Sequence, residues 1–166
     1  MYLDTAGHPI NNLSLIGHRA VGVPGSVAGL FAVHDSLGRL PMARLIQPSI
    51  DLAIAGFPLT ELEAHELNAK LASIQSASTK PNAYGAKSNW IAGDTLRLPE
   101  LARTLERIRD GGSAEFYRGH TADLIVAEML RGGGLIDHED LAGYRPVWRE
   151  PITGTYRDLE IISMGP

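Results

Sequence analysis

The sequence predicts a predominantly α-helical chain of about five helices with strands at its ends, and three observations carry that prediction. Apolar residues recur every three or four positions through the middle of the chain, Gly and Pro punctuate those stretches, and β-branched residues gather in strand-length runs after Tyr144. Leu3 and Ile10 flank a turn over Asp4 to His8 and read as extended chain. Ser26 is placed to cap a helix running to Leu37, with Val27, Leu30, Phe31 and His34 as its inward stripe and Gly38 as a left-handed stop. A second helix is expected over Met42 to Ala55, with Leu45, Ser49, Leu52 and Ala53 inward and Gly56 ending it. Pro48 lies inside that stretch, where a missing N–H and a ring clash predict a kink or break near Gln47.

Thr60 followed by Glu63 is a capping box, and Leu67, Leu71 and Ile74 continue the apolar period of a third helix. From about 76 to 93 the periodicity is lost among Ser, Asn, Lys and Gly, which predicts a long loop. Pro99 opens a fourth helix with Leu101, Leu105 and Ile108 inward and Gly111-Gly112 beyond it. Ser113 to Tyr117 reads as a short turn, and Thr121 to Leu130 as a fifth helix closed by Gly132 to Gly134. Asp137 then caps one more turn ending near Tyr144. Val147 to Thr155 and Leu159 to Met164 flank Tyr156-Arg157-Asp158 as a hairpin or neighbouring strands. Two isolated strands are marginal, so this pair implies a sheet completed elsewhere.

Composition bounds the function classes. The 166 residues carry a formal charge of −4 with acids and bases interspersed, so no basic face invites nucleic acid. Cysteine is absent, which removes disulfides and thiolate metal sites. No apolar run approaches the ~20 residues that cross a bilayer, and Met1-Tyr2-Leu3-Asp4 opens no secretion signal.

Chemical motifs fail one at a time. His65-Glu66 begins like a zinc helix, but Ala69 stands where the second histidine belongs. His138-Glu139-Asp140 is explained by a helix start that Asp137 caps, and His18, His34 and His120 each stand alone among apolar or small neighbours. Gly22, Gly25 and Gly29 lack the Gly-x-Gly-x-x-Gly spacing of a dinucleotide turn, and Pro24 removes a donor that a phosphate would need. Ser26 is no nucleophile elbow, because Pro24 and Ala28 replace the two glycines of Gly-x-Ser-x-Gly. Gly25 and Gly29 instead predict a tight helix start whose backbone packs close to a neighbour.

A larger pattern spans the chain. Gly22-Val23-Pro24-Gly25 with Gly29, then Gly38 to Pro41, Gln47-Pro48 and Ala53 to Phe57 fall in the order and spacing of the large subunit of γ-glutamyltranspeptidases. The resemblance continues through Gly93 to Leu96, Leu101-Ala102-x-Thr104-Leu105, Phe116-Tyr117-x-Gly119, Gly133 to Ile136, Glu139 to Ala142 with Tyr144, and Arg149-x-Pro151-Ile152 with Tyr156-Arg157. It departs at Gly165, where the family pattern has proline.

The resemblance implies a single segment, 1–166, of that large subunit, without a complete catalytic domain, and a parent fold of the α+β N-terminal nucleophile hydrolase type with αββα layers. It implies a precursor that cleaves itself and frees a threonine to attack the γ-glutamyl amide of glutathione and related compounds. In the family pattern that threonine lies beyond Pro166, and the arginine of an Arg-Glu-x-x-Pro motif lies upstream of Met1. No catalytic, substrate-binding, cofactor-binding or metal residue is therefore carried onto this sequence, no cofactor is implied, and the segment alone is expected to be inactive. The partners implied are the rest of the precursor with its small subunit, glutathione or γ-glutamyl amides, and water or amino-acid acceptors; self-association of the segment is a further expectation. Bacterial members imply a periplasmic or secreted parent. Cephalosporin-type acylases and poly-γ-glutamate transferases share the scaffold, and an independent helical binding module is the alternative outside enzymes.

Overall fold

The computed structural model describes residues 2–78 and 80–165, so Met1, Thr79 of the expected loop and Pro166 lie outside the described residues. Among the described residues it places six α-helices and two antiparallel strand pairs. The helices are α1 (Ser26–Leu37), α2 (Met42–Ala55), α3 (Glu61–Ala77), α4 (Pro99–Arg118), α5 (His120–Gly132) and α6 (His138–Gly143). Strands β1 (Phe57–Pro58) and β2 (Thr95–Leu96) pair with each other, as do β3 (Ile152–Tyr156) and β4 (Leu159–Ser163).

Helix ends set by local chemistry fall where the sequence puts them. The Thr60 side chain accepts from the Glu63 N–H while the Glu63 carboxylate accepts from the Thr60 N–H, and Asp137 and Asp140 repeat the arrangement at α6. Gly56 closes α2 and Gly133 closes α5, the latter in the left-handed conformation with φ 69° and ψ 28°. Gly38 does not: its φ of −67° and ψ of 142° are extended, and its N–H still satisfies the His34 carbonyl.

Of the kink or break expected near Gln47, no break occurs: α2 runs continuously from Met42 to Ala55 with Pro48 inside it. Pro48 deprives only the Arg44 carbonyl of its donor, and both residues are exposed, so water can replace the bond. The break comes in α4, where Gly112 has φ 67° and ψ −163° and splits the element into two helical pieces. A residue with a Cβ is strained there. Ser113 to Tyr117, expected as a turn, therefore continues the helix in a new direction.

The inward faces of two helices are shifted from expectation. Leu30 on α1 is 66% exposed and Ala28 is the buried position, while on α2 Ile50 and Ala53 are buried and Leu45, Ser49 and Leu52 face outward. Both helices carry apolar residues on more than one face, so periodicity does not choose between them; packing against α4 does. On α4 itself Ala102 is buried and Leu101 is exposed, because small residues let α2 and α4 approach at Ala53 and Ala102.

Among the described residues three small cores result. Ala28, Tyr117, Ala122, Val126, Met129, Ile136 and Leu141 join α1, the end of α4, α5 and α6. Ile50, Ala53 and Ala102 join α2 to α4. Leu59, Ala64, Trp90 and Leu96 hold α3 to the loop that follows it. That loop is ordered by Trp90, whose backbone N–H and C=O are both paired by the Asn68 amide at 2.8 Å and whose indole N–H donates to Tyr84 O at 2.9 Å. The two-residue pair β1–β2, too short for any period to reveal, closes it.

The terminal hairpin is present, but its first strand begins at Ile152 rather than Val147, since Pro151 cannot donate to a ladder. Every residue of β3 and β4 is exposed. At the other end Leu3 bridges Pro9 around the turn that Asp4 holds by accepting from the N–H groups of Ala6 and His8.

Candidate functional site

The start of α1 has no side-chain cap of its own. Ser26 is the first helical residue, exposed and without a capping bond, which corrects the expectation that it caps the helix; the capping position is Gly25. The acceptor comes from 89 residues away. Tyr117 Oη accepts from the Ala28 N–H at 3.1 Å and donates to Pro24 O at 2.6 Å. Tyr117 is buried, and that burial pushes its phenol above the ordinary range, with the Ala28 bond opposing and the neighbouring Tyr144 adding to the rise.

The Tyr144 ring stacks on Tyr117 with centroids 5.8 Å apart and planes 8° apart, and its hydroxyl fills the space beside Gly25. A Cβ at residue 25 would overlap that hydroxyl, which gives Gly25 its reason. Gly29 has no such reason, because a Cβ there would meet nothing within 4 Å. The close-packing expectation holds for the first glycine and fails for the second.

The histidines are placed one by one. His18 Nε2 lies 2.8 Å from Glu128 Oε1 and its ring fills the space beside Gly132, while Met129 Sδ and the His18 backbone crowd Gly134. His34 Nε2 bonds Leu40 O at 2.7 Å across the α1–α2 link. His65 and His120 are exposed, and His138 lies 3.7 Å from Asp123 at the surface. The Asp137 carboxylate accepts from the N–H groups of Glu139 and Asp140. Among the described residues, no group of three His, Cys, Asp or Glu could hold a metal ion, and no helix is long and apolar enough to cross a membrane.

Ionic contacts mark the joints between elements. Lys87 Nζ meets Asp94 Oδ1 at 2.6 Å, and this hydrogen bond, with the Ile91 N–H, holds the Asp94 carboxyl below its usual range. Arg109 bonds Asp110 and reaches Gln47 on α2 at 2.7 Å. Glu115 accepts from the N–H and hydroxyl of Thr121, and Arg107 joins the same cluster at the bend of α4 into α5. The concavity that brings the most varied chemistry together is a cavity of about 320 Å³ lined by Phe31, Asp35, Tyr117, Arg118, Tyr144 and Arg145 among others. Sequence reading missed it, since those six residues come from three distant stretches and form no local motif.

The sequence profile described as gamma-glutamyltranspeptidase matches residues 1–166. The chain belongs to the γ-glutamyltranspeptidase family. The glutathione hydrolase proenzyme of Pseudomonas aeruginosa is 44% identical over 152 residues, covering 92% of this chain and 27% of that protein. The Escherichia coli glutathione hydrolase proenzyme is 38% identical, covering 100% of this chain and 29% of its own length. The chain thus spans under a third of these curated relatives. The Helicobacter pylori γ-glutamyltranspeptidase crystal structure superposes with a TM-score of 0.90 at 36% identity, over 100% of this chain and 48% of that one. A cephalosporin acylase from Bacillus halodurans (TM-score 0.82, 31% identity, 91% of this chain and 30% of that one) and the Bacillus anthracis transpeptidase CapD (0.72, 32%, 88% and 50%) share the fold.

The family is one of enzymes, and its motifs here occupy structural joints. Gly22 to Gly25 is the α1 start under the two tyrosines, Gly93 to Leu96 the Lys87–Asp94 ion pair and β2, Phe116-Tyr117 the source of the hydroxyl that holds the α1 start, and Gly133-Gly134 the left-handed end of α5.

Proposed function

We propose that these residues are a scaffold segment of the large subunit of a γ-glutamyltranspeptidase, and that they hold none of its catalytic, substrate-binding, cofactor or metal residues. The observation that carries this reading is the match of the family profile to residues 1–166, combined with coverage of only 27% and 29% of the two bacterial proenzymes. The assembled protein, an αββα N-terminal nucleophile hydrolase, cleaves its own precursor. The freed threonine then attacks the γ-glutamyl carbonyl of glutathione or a related amide, its own α-amine taking the hydroxyl proton and backbone amides stabilising the oxyanion. The amine leaves with that proton, and water or an amino-acid acceptor resolves the acyl-enzyme. The partner of this segment is the remainder of the same precursor, and the assembled protein works in the periplasm or outside the cell.

Glutathione-type chemistry is drawn from the two bacterial relatives, both glutathione hydrolase proenzymes, at 44% and 38% identity. The test is release of chromophore from a γ-glutamyl anilide. A precursor containing these residues should release it after self-cleavage, and the 166-residue chain alone should not exceed the buffer blank. Release by the isolated chain would overturn the scaffold reading, and a processed precursor that cleaves glutaryl amides but no γ-glutamyl amide would select the acylase.

A further inference from the structure

We propose that the cavity lined by the stacked tyrosines, by Arg118 at the end of α4 and by Arg145 just after α6 binds a small zwitterion, an α-amino acid with free carboxylate and free ammonium. Two guanidinium groups converge there. Arg118 Nη2 and Arg145 Nη1 both donate to Ala142 O at 2.8 Å, so these two nitrogens lie within about twice that distance of each other. Arg145 Nη1 also reaches Tyr144 O at 2.6 Å. One nitrogen of each guanidinium is thus committed, while each group carries five N–H donors in a planar fork that suits a carboxylate. Like charges held this close repel, and an anion between them relieves the repulsion.

The lining of the cavity also carries the complementary charge. Asp35 on α1 lines the same space, with its side chain 77% exposed and its Oδ1 3.9 Å from His34 Nδ1. A carboxylate there opposes a phosphate or sulfate dianion but favours a ligand that brings its own ammonium. Phe31 and the Tyr117–Tyr144 stack supply the apolar part of the lining. At about 320 Å³ the cavity is at the small end of ligand pockets, which suits one amino acid with an apolar or aromatic side chain.

Titration of the ¹⁵N-labelled chain with L-phenylalanine tests the site. The expected result is a saturable shift of the Ser113, Tyr117, Ala142 and Arg145 amides with a dissociation constant on the order of 1 mM. N-acetyl-L-phenylalanine and L-phenylalanine amide, each lacking one charge, should bind at least tenfold more weakly. Arg145→Gln and Asp35→Asn should each weaken binding by a similar factor, with circular dichroism reporting their folds. Asp35 is exposed, so its variant remains informative if Arg145→Gln unfolds. No saturable shift overturns the proposal, as do capped analogues that bind within twofold of the free amino acid, or sulfate that produces the same shifts at the same concentration.

Discussion

Tyr117→Phe removes one hydroxyl and nothing else, and it should cost this chain about 2 to 3 kcal/mol. The ring keeps its burial, so the apolar contribution is unchanged. What is lost is the donation to Pro24 O at 2.6 Å and the acceptance from the Ala28 N–H at 3.1 Å. A neutral hydrogen bond nets about 0.5 to 1.5 kcal/mol, and a buried donor left without a partner costs about 1 to 3. Ala28 is 8% exposed, so water does not replace the acceptor. Urea denaturation followed by circular dichroism measures the effect, as a lower midpoint at unchanged slope. Ser26→Ala is the control: it should change stability by less than ~0.5 kcal/mol, because Ser26 makes no capping bond. The phenol adds a pH signature. Its folded pKa is raised by burial, so the stability it contributes is full below the ordinary phenol value of about 10 and is lost as pH rises through the folded value. Stability of Tyr117→Phe should fall less steeply above that pH. A midpoint unchanged by Tyr117→Phe, or a Ser26→Ala cost as large, would refute the long-range cap.

The two glycines of the α1 start should respond with opposite sign. Gly25→Ala overlaps the Tyr144 hydroxyl and should destabilise by ~1 to 3 kcal/mol, whereas Gly29→Ala meets open space inside a helix and should stabilise by ~0.5 to 1 kcal/mol, both read from denaturation midpoints. Glu63 and Asp94 have carboxyls held low by the Thr60 and Lys87 hydrogen bonds, so their contribution is present above the usual carboxylate range and lost as pH falls through the folded values. Glu63→Gln should therefore flatten the acid limb of a stability–pH curve; an unaltered limb rejects the cap as its source. The exposed strands of the terminal hairpin should drive concentration-dependent association of the isolated chain, seen by light scattering across a dilution series. A monomer at high concentration with protected amides over residues 159–164 rejects it.

Features fixed by neighbours in sequence were legible, and those fixed by distant neighbours were not. Thr60 with Glu63 and Asp137 with Asp140 act over three residues, so their caps, and with them the starts of α3 and α6, could be read directly. The cap on α1 could not, because its acceptor is 89 residues away and nothing local distinguishes Ser26 from a working cap. Leu45 and Leu52 compete with Ile46 and Ile50 for the inward face of α2, and only the position of α4 decides between them. Gly111-Gly112 was visible as a stop; that the chain resumes helix beyond it depends on Glu115 bonding Thr121 at the head of α5. The candidate zwitterion site is of the same kind, for Asp35, Arg118 and Arg145 meet only once α1, α4 and α6 are packed.

The size of the cores explains why such cross-links matter. Apolar burial is divided among three clusters, and among the described residues only Ile50 and Leu141 are large side chains almost wholly removed from water. Leu30, Leu52, Leu62 and Leu130 stay more than half exposed on helices whose other faces are packed. Each such side chain, fully buried, would contribute about 1.5 to 3 kcal/mol. With that contribution missing, directional contacts carry a larger share of the fold: Tyr117 holding the start of α1, Asn68 holding Trp90, and Glu115 holding Thr121 across the bend. On the reading proposed above, these apolar helix faces and the exposed hairpin are surfaces that the remainder of the precursor would cover.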